Sequence, residues 1–77
     1  MKTEYEYIRF VEIPNKSRKT NLYDCYSRSG DVLGFVHWYG AWRQYCFSPC
    51  AHVVFSAGCL ADVGDFIKQL MEERRKP

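Results

Sequence analysis

The side chains best suited to chemistry in this sequence are its thiols and imidazoles. Four cysteines and two histidines occur, and Cys46, Cys50 and His52 lie close together along the chain. A structural zinc site is typically built from two closely spaced ligand pairs, and no second pair follows here. We therefore expect neither a metal nor another cofactor, and we interpret the cysteines as small hydrophobic side chains.

Patterns typical of an enzyme are missing. The sequence contains no glycine-rich phosphate loop, no recognisable pair of catalytic carboxylates and no nucleophile elbow. A Cys–His nucleophilic pair would need an orienting acid, and none stands at a recognisable spacing. A sheet with one helix also leaves little room for a deep pocket. The sequence therefore predicts a protein that is not an enzyme.

Charge and hydropathy limit the partners and the cellular location that we expect for the protein. The formal net charge of +2 is too small to argue for nucleic-acid binding. Basic residues are concentrated in a loop that contains Lys16, Arg18 and Lys19. No apolar run is long enough to span a membrane, and the acidic residues near the N-terminus do not resemble a secretory signal. We expect a cytoplasmic protein with reduced thiols.

The length of 77 residues predicts one domain, residues 1–77, of the α+β class. Runs of β-branched and aromatic residues between turn signals predict an antiparallel sheet of consecutive hairpins. The strands are expected at about 4–13, 20–28, 31–39 and 42–47, with 52–55 as a candidate fifth. From Gly58 the period changes, and a helix over about 58–74 is expected to pack on one face of the sheet through an apolar stripe of Leu60, Val63, Phe66, Ile67, Leu70 and Met71. Ser56 is a candidate N-cap of this helix.

The turn signals also predict which side chains share a face. If Gly40 and Ala41 form a two-residue loop, Trp38 pairs with Arg43 and could hold its guanidinium in a cation–π contact. Because side chains alternate along a strand, one face then carries an apolar set that we assign to the helix. This set consists of Val32, Gly34, Val36, Trp38, Arg43, Tyr45 and Phe47, with Phe47 over the bare Gly34.

The opposite face is mixed and is the candidate interaction surface. A two-residue loop at Ser29 and Gly30 adds strand 2 to this face and pairs Arg28 with Asp31. Its candidate partner-binding residues are Tyr26, Phe35, His37, Tyr39, Trp42 and Gln44, beside Leu22, Asp24, Leu33 and Cys46. One helix cannot cover both faces, so this face is open, is covered by a second copy, or is half covered by the first strand and the 48–57 loop.

Two kinds of partner fit such a face. Trp, Tyr and Arg are typical anchors of protein interfaces, which favours a protein partner or a homodimer. The alternative is a platform for single-stranded nucleic acid, on which bases stack on aromatic rings and Lys16, Arg18 and Lys19 contact phosphates. We expect neither a small-molecule substrate nor a membrane as the partner.

The stretch from Leu33 to Pro49 reads LGxxxWYGxWRxYxFxP, where x is any residue. It resembles a family of small uncharacterised proteins of bacteria, phages and mobile elements, and the stretch from Val54 to Phe66 resembles the helix entry of the same family. The likeness covers about residues 33–70 and brings no activity with it. The occurrence of this family in phages and mobile elements implies an accessory or inhibitor protein that binds a host machine, such as an anti-CRISPR protein.

Overall fold

The computed structural model describes residues 1–14, 17 and 19–75. Four antiparallel strands lie in the order β1-β2-β3-β4, so that each strand pairs with the next one along the chain. Their bounds are β1 Ile8–Ile13, β2 Leu22–Ser27, β3 Val32–Tyr39 and β4 Gln44–Pro49, and helix α1 spans Ala57–Arg75. The predicted α+β sheet of consecutive hairpins with one C-terminal helix is confirmed. The candidate fifth strand is wrong, because residues 52–55, all of them described, are not in a strand.

The first strand is shorter than predicted because the N-terminal segment folds back along its outer edge. The Phe10 N–H donates to the Thr3 carbonyl at 2.9 Å, and the Tyr5 N–H donates to the Ile8 carbonyl at 2.9 Å. Tyr5 is then tied to the helix, since its hydroxyl donates to Asp65 Oδ2 at 2.7 Å and accepts from Gln69 Nε2 at 2.9 Å. Burial and the Asp65 hydrogen bond raise the pKa of the Tyr5 phenol.

The helix packs on the sheet through a line of apolar side chains. Ser56 caps it as predicted, because its Oγ accepts the Cys59 N–H at 3.1 Å. Leu60 was predicted in the core and is instead 56% exposed. The buried line runs through Val63, Phe66 and Leu70 and continues to Cys59, which leaves Leu60 on its flank.

The register of the β3–β4 hairpin differs from the prediction. Tyr39 pairs with Gln44, so the loop has four residues, 40–43, rather than two. Arg43 takes a positive φ of 56° inside this loop and does not pair with Trp38, which faces Tyr45. The shift is by two residues, and an even shift leaves the side chains of β4 on their predicted faces. Trp38 and Tyr45 therefore lie under the helix as predicted.

An irregularity in the pairing of β2 with β3 places two side chains, Val32 and Leu33, on the faces opposite to those predicted. Cys25 pairs with Gly34 but Tyr26 pairs with Val32, so β3 carries Leu33 as an extra residue. Leu33, predicted on the mixed face, packs against the core, and Val32, predicted under the helix, is 48% exposed. The predicted pairing of Arg28 with Asp31 is also wrong, because the Ser27 N–H donates to the Asp31 carbonyl at 2.9 Å and Arg28 lies in the turn. The Arg28 guanidinium donates to the Glu6 and Tyr5 carbonyls at 3.1 and 2.7 Å.

Cys25 makes the stability of the fold dependent on pH. Its side chain is fully buried, and this burial raises the pKa of the thiol from 9.0 to about 11. The unfolded chain therefore loses this proton before the folded chain does, and stability falls as the pH rises through 9. We expect the free energy of unfolding to drop by about 1.4 kcal/mol from this group between pH 8 and pH 10.

Urea denaturation at both pH values measures this effect, with Cys25→Ala as the control. Tyrosines also titrate near the upper pH, so the informative quantity is the difference between the two proteins. The alanine variant is less stable at pH 8, and its stability should fall less on going to pH 10. An identical pH dependence in both proteins would show that the thiol titrates alike in the folded and unfolded chains.

Candidate functional site: the open face of the sheet

A row of four rings runs along β3 on the face opposite the helix. Phe35 and His37 have ring centroids 5.1 Å apart, His37 and Tyr39 are 6.4 Å apart, and Tyr39 and Trp42 are 5.1 Å apart. We call these four residues the aromatic row. Phe35 is 40% exposed, Tyr39 41% and Trp42 66%. The strand places every second side chain of β3 on this face, and the 40–43 loop adds Trp42 at the end.

Two polar contacts hold the imidazole within the row. His37 Nε2 lies 2.8 Å from Ser48 Oγ, and His37 Nδ1 lies 3.3 Å from the Trp38 carbonyl oxygen. A carbonyl can only accept, so in the neutral ring Nδ1 donates to Trp38 and Nε2 accepts the Ser48 hydroxyl. A hydroxyl on an imidazole is also the first element of a nucleophilic site, but here the second ring nitrogen meets a backbone carbonyl rather than an acid.

The row borders a shallow groove of about 230 Å³. It is lined by His37, Tyr39, Trp42, Cys46, Phe47 and Ser48. Sequence reasoning left Ser48 out of the site, because a two-residue loop would have paired it with Leu33. In the observed register Ser48 pairs with Phe35, one diagonal step from His37. Only the loop length could have revealed this contact.

The two remaining predicted partner-binding residues, Gln44 and Tyr26, lie in different places relative to the row. Gln44 is exposed and pairs directly with Tyr39, so it extends the surface. Tyr26 lies on β2, where its hydroxyl donates to Asp24 Oδ2 at 3.2 Å and its ring lies 4.9 Å from the Arg9 guanidinium. Asp24 in turn pairs directly with Phe35 of the row. The predicted set is thus an aromatic row with Gln44 and a second, charged group around Tyr26.

The 48–57 loop, which was predicted to cover part of this face, contacts the helix side of the sheet instead. Its Phe55 packs edge-to-face on Phe47 at 5.4 Å, and Phe47 packs against the buried core. On the far side of the row the first strand contributes Arg9 and Val11, of which Val11 is itself exposed. The aromatic row therefore keeps a large part of its surface open.

The basic loop proposed for phosphate contacts lies apart from the row as far as it is described. Lys16 and Arg18 lie outside the described residues. Lys19 borders a different groove of about 450 Å³, which it shares with Tyr23, Tyr45, Leu70 and Arg74. These neighbours place Lys19 on the helix side of the sheet.

The thiols and imidazoles do not come together as a metal site. Among the described residues, no group of three or more His, Cys, Asp or Glu side chains could hold a metal ion. All four cysteines are free thiols, with Cys25 buried and Cys50 exposed. Within the part of the chain that the structure describes, helix α1 is not apolar enough over a sufficient length to cross a membrane.

The outer edge of β4 is largely closed to another strand. The Tyr45 N–H points away from β3 and donates to Met71 Sδ of the helix at 3.5 Å. Alternate residues of β4 face outward, so Phe47 and Pro49 follow Tyr45 on this edge. Pro49 has no N–H, and this leaves Phe47 as the outward donor of the strand. Such blocked edges oppose pairing with a foreign strand. The face of the sheet is therefore better suited to a partner than its β4 edge.

Together, fold and surface define a class: a small α+β protein whose antiparallel sheet is covered by one helix and exposes an aromatic row on its other face. In sequence, the chain is 33% identical over 72 residues to a protein of Acholeplasma phage L2 described as an uncharacterized 9.3 kDa protein, and the match covers 92% of each chain. The chain belongs to the family of this phage protein. No protein-family model matches it, and no solved structure matches it.

Proposed function

We propose that this protein is a small, non-enzymatic accessory protein of a phage or mobile element that binds a protein partner through the aromatic row. Its partner is a component of the host cell, so that the protein acts in the cytoplasm as a modulator or inhibitor, in the manner of an anti-CRISPR protein. Membership of the family of a phage protein supports an accessory role in a phage or mobile element. The observation that carries the proposal is the exposed row of four rings.

The chemistry of the row supports a protein as the ligand. Exposed Trp and Tyr side chains contribute most of the binding energy in many interfaces, because they bury a large area with few rotatable bonds. The row is also ordered before binding, since the rings contact one another and the Ser48 hydrogen bond fixes His37. Preorganised side chains lose less entropy on association.

Replacement of Trp42 by alanine tests the proposal. Trp42 lies in a loop and is 66% exposed, so the variant should fold normally. Leu60→Ala is a matched control, because Leu60 is a similarly exposed apolar residue on the helix. A partner is first identified by cross-linking in the cells that naturally contain the protein, and its affinity is then measured for all three purified proteins. We expect Trp42→Ala to weaken binding at least about tenfold and Leu60→Ala to leave it unchanged.

Equal affinity of Trp42→Ala and the unmodified protein would overturn the proposal. The same measurements include sedimentation of each protein alone, because a second copy is another candidate occupant of the row. If the protein alone forms a dimer and Trp42→Ala dissociates it, the row binds a second copy of the protein and not a host partner.

Single-stranded nucleic acid is the competing ligand, since bases also stack on exposed rings. The charged groups around Tyr26 argue against it. Arg9 already covers the Tyr26 ring, and the Asp24 carboxylate would repel phosphate. We expect no binding of a single-stranded oligonucleotide even at low salt. Binding that weakens steeply with salt and is lost in Trp42→Ala would favour the nucleic-acid function.

A further inference from the structure

Aromatic rings of this protein repeatedly carry a cation on their face. The Arg74 guanidinium lies 4.0 Å from the Trp38 ring, the Lys2 ammonium 4.6 Å from Tyr5, and the Arg9 guanidinium 4.9 Å from Tyr26. Two of these contacts, Arg74 with Trp38 and Arg9 with Tyr26, join segments that are distant in sequence, so these cations also help to hold the fold together. The electron-rich face of a ring attracts a cation, most strongly for Trp.

Two exposed rings of the aromatic row have no such cation among the described residues. Tyr39 and Trp42 stand nearly perpendicular, at 86°, with centroids 5.1 Å apart. Both rings line the 230 Å³ groove, whose other lining residues are His37, Cys46, Phe47 and Ser48 and include no acid, lysine or arginine. In this edge-to-face contact the edge of one ring meets the face of the other. The ring surfaces that stay open meet at a right angle, and such corners can enclose cationic groups.

We propose that the Tyr39–Trp42 corner binds a cationic side chain of the protein partner, an arginine above all. This inference rests on the proposed function and names the chemistry that the row recognises. Arginine suits the corner because its planar guanidinium stacks on aromatic rings and is weakly hydrated. Gln44 lies beside Tyr39 and offers an amide oxygen at the rim, which can accept from the guanidinium N–H groups.

The test is an NMR titration of the ¹⁵N-labelled protein with two capped tripeptides, Gly-Arg-Gly and Gly-citrulline-Gly. Citrulline has nearly the size and shape of arginine but carries no charge. The two tryptophans give separate indole N–H signals, and Trp38, already covered by Arg74, is an internal control. Salt at about 0.15 M, where the Debye length is about 8 Å, weakens the repulsion from the exposed Arg43 next to Trp42, and this repulsion acts against the expected result.

We expect saturable shifts of the Trp42 signal, with an affinity for the arginine peptide about five- to thirtyfold above that for the citrulline peptide. In Trp42→Leu, followed through the signals of the neighbouring loop, the preference for arginine should be lost. Equal affinities for the two peptides, no response, or an equal response of Trp38 would each overturn the inference.

One further comparison separates this inference from the proposed function. Trp42→Leu keeps an apolar side chain but has no ring, so its affinity for the identified partner is measured beside that of Trp42→Ala. If alanine weakens binding and leucine restores it fully, the surface is correct and the cation is wrong. If both variants bind as the unmodified protein does, the proposed function itself fails.

Discussion

Replacing Phe66 by alanine is expected to destabilise the protein by about 3–5 kcal/mol. Phe66 is fully buried at the centre of the helix, stacked on Phe10 at 4.0 Å and in edge contact with Tyr23 at 5.0 Å. Alanine removes both ring contacts and leaves a cavity between the helix and two strands. A domain of this size has a total stability of only about 4–12 kcal/mol, so the loss is a large fraction of it.

Urea denaturation followed by circular dichroism measures the change, with Leu60→Ala on the same helix as the control. Leu60 is largely exposed, so its replacement should shift the stability by no more than about 0.5 kcal/mol. If Phe66→Ala is unfolded without denaturant, Phe66→Leu provides a measurable intermediate loss, because it keeps part of the buried volume. A loss below about 1 kcal/mol for Phe66→Ala would contradict the packing of the helix on β1 and β2.

Gly34→Ala is expected to cost about 3 kcal/mol, the upper end of the usual range for overpacking. A Cβ at this position would stand 2.5 Å from the Ser48 carbonyl oxygen and 2.9 Å from Pro49 Cα. Both atoms belong to the backbone of β4, which cannot move away without breaking its pairing with β3. Phe47 also covers this position, with its ring carbon 2.7 Å from the added Cβ.

Gly64→Ala is the matched control, because the same substitution should have the opposite sign there. Gly64 lies within the helix, and nothing stands within 4 Å of an added Cβ. Alanine should therefore stabilise the protein by about 1 kcal/mol through its higher helix propensity. Thermal unfolding of both variants gives the comparison, and a stable Gly34→Ala protein would show that β3 and β4 do not approach as closely as described.

Side-chain alternation explains why the faces of the sheet could be predicted despite an incorrect loop. The predicted two-residue loop and the observed four-residue loop differ by an even number, so Trp38 and Tyr45 stay under the helix and Phe35 stays opposite it. Apolar spacing likewise predicted the helix, since Val63, Phe66 and Leu70 recur at three and four residues. Both predictions depend only on the geometry of a single element.

The prediction failed where contacts join different elements. A guanidinium covers Trp38 as expected, but it belongs to Arg74 of the helix and not to Arg43, which lies in the 40–43 loop. The extra residue Leu33 in β3 depends on how β2 and β3 pair, and it places Leu33 against the core instead of on the mixed face. The hydrogen bond between His37 and Ser48 needed the true loop length.

The sequence by itself determined the α+β class, the position of the helix and the face on which each ring of β3 lies, because periodicity is a local property of the chain. Only the tertiary structure decided which rings are already covered by a cation and which are left open. That distinction depends on residues far apart in sequence, such as Arg9 with Tyr26 and Trp38 with Arg74, which meet only when the strands and the helix pack together.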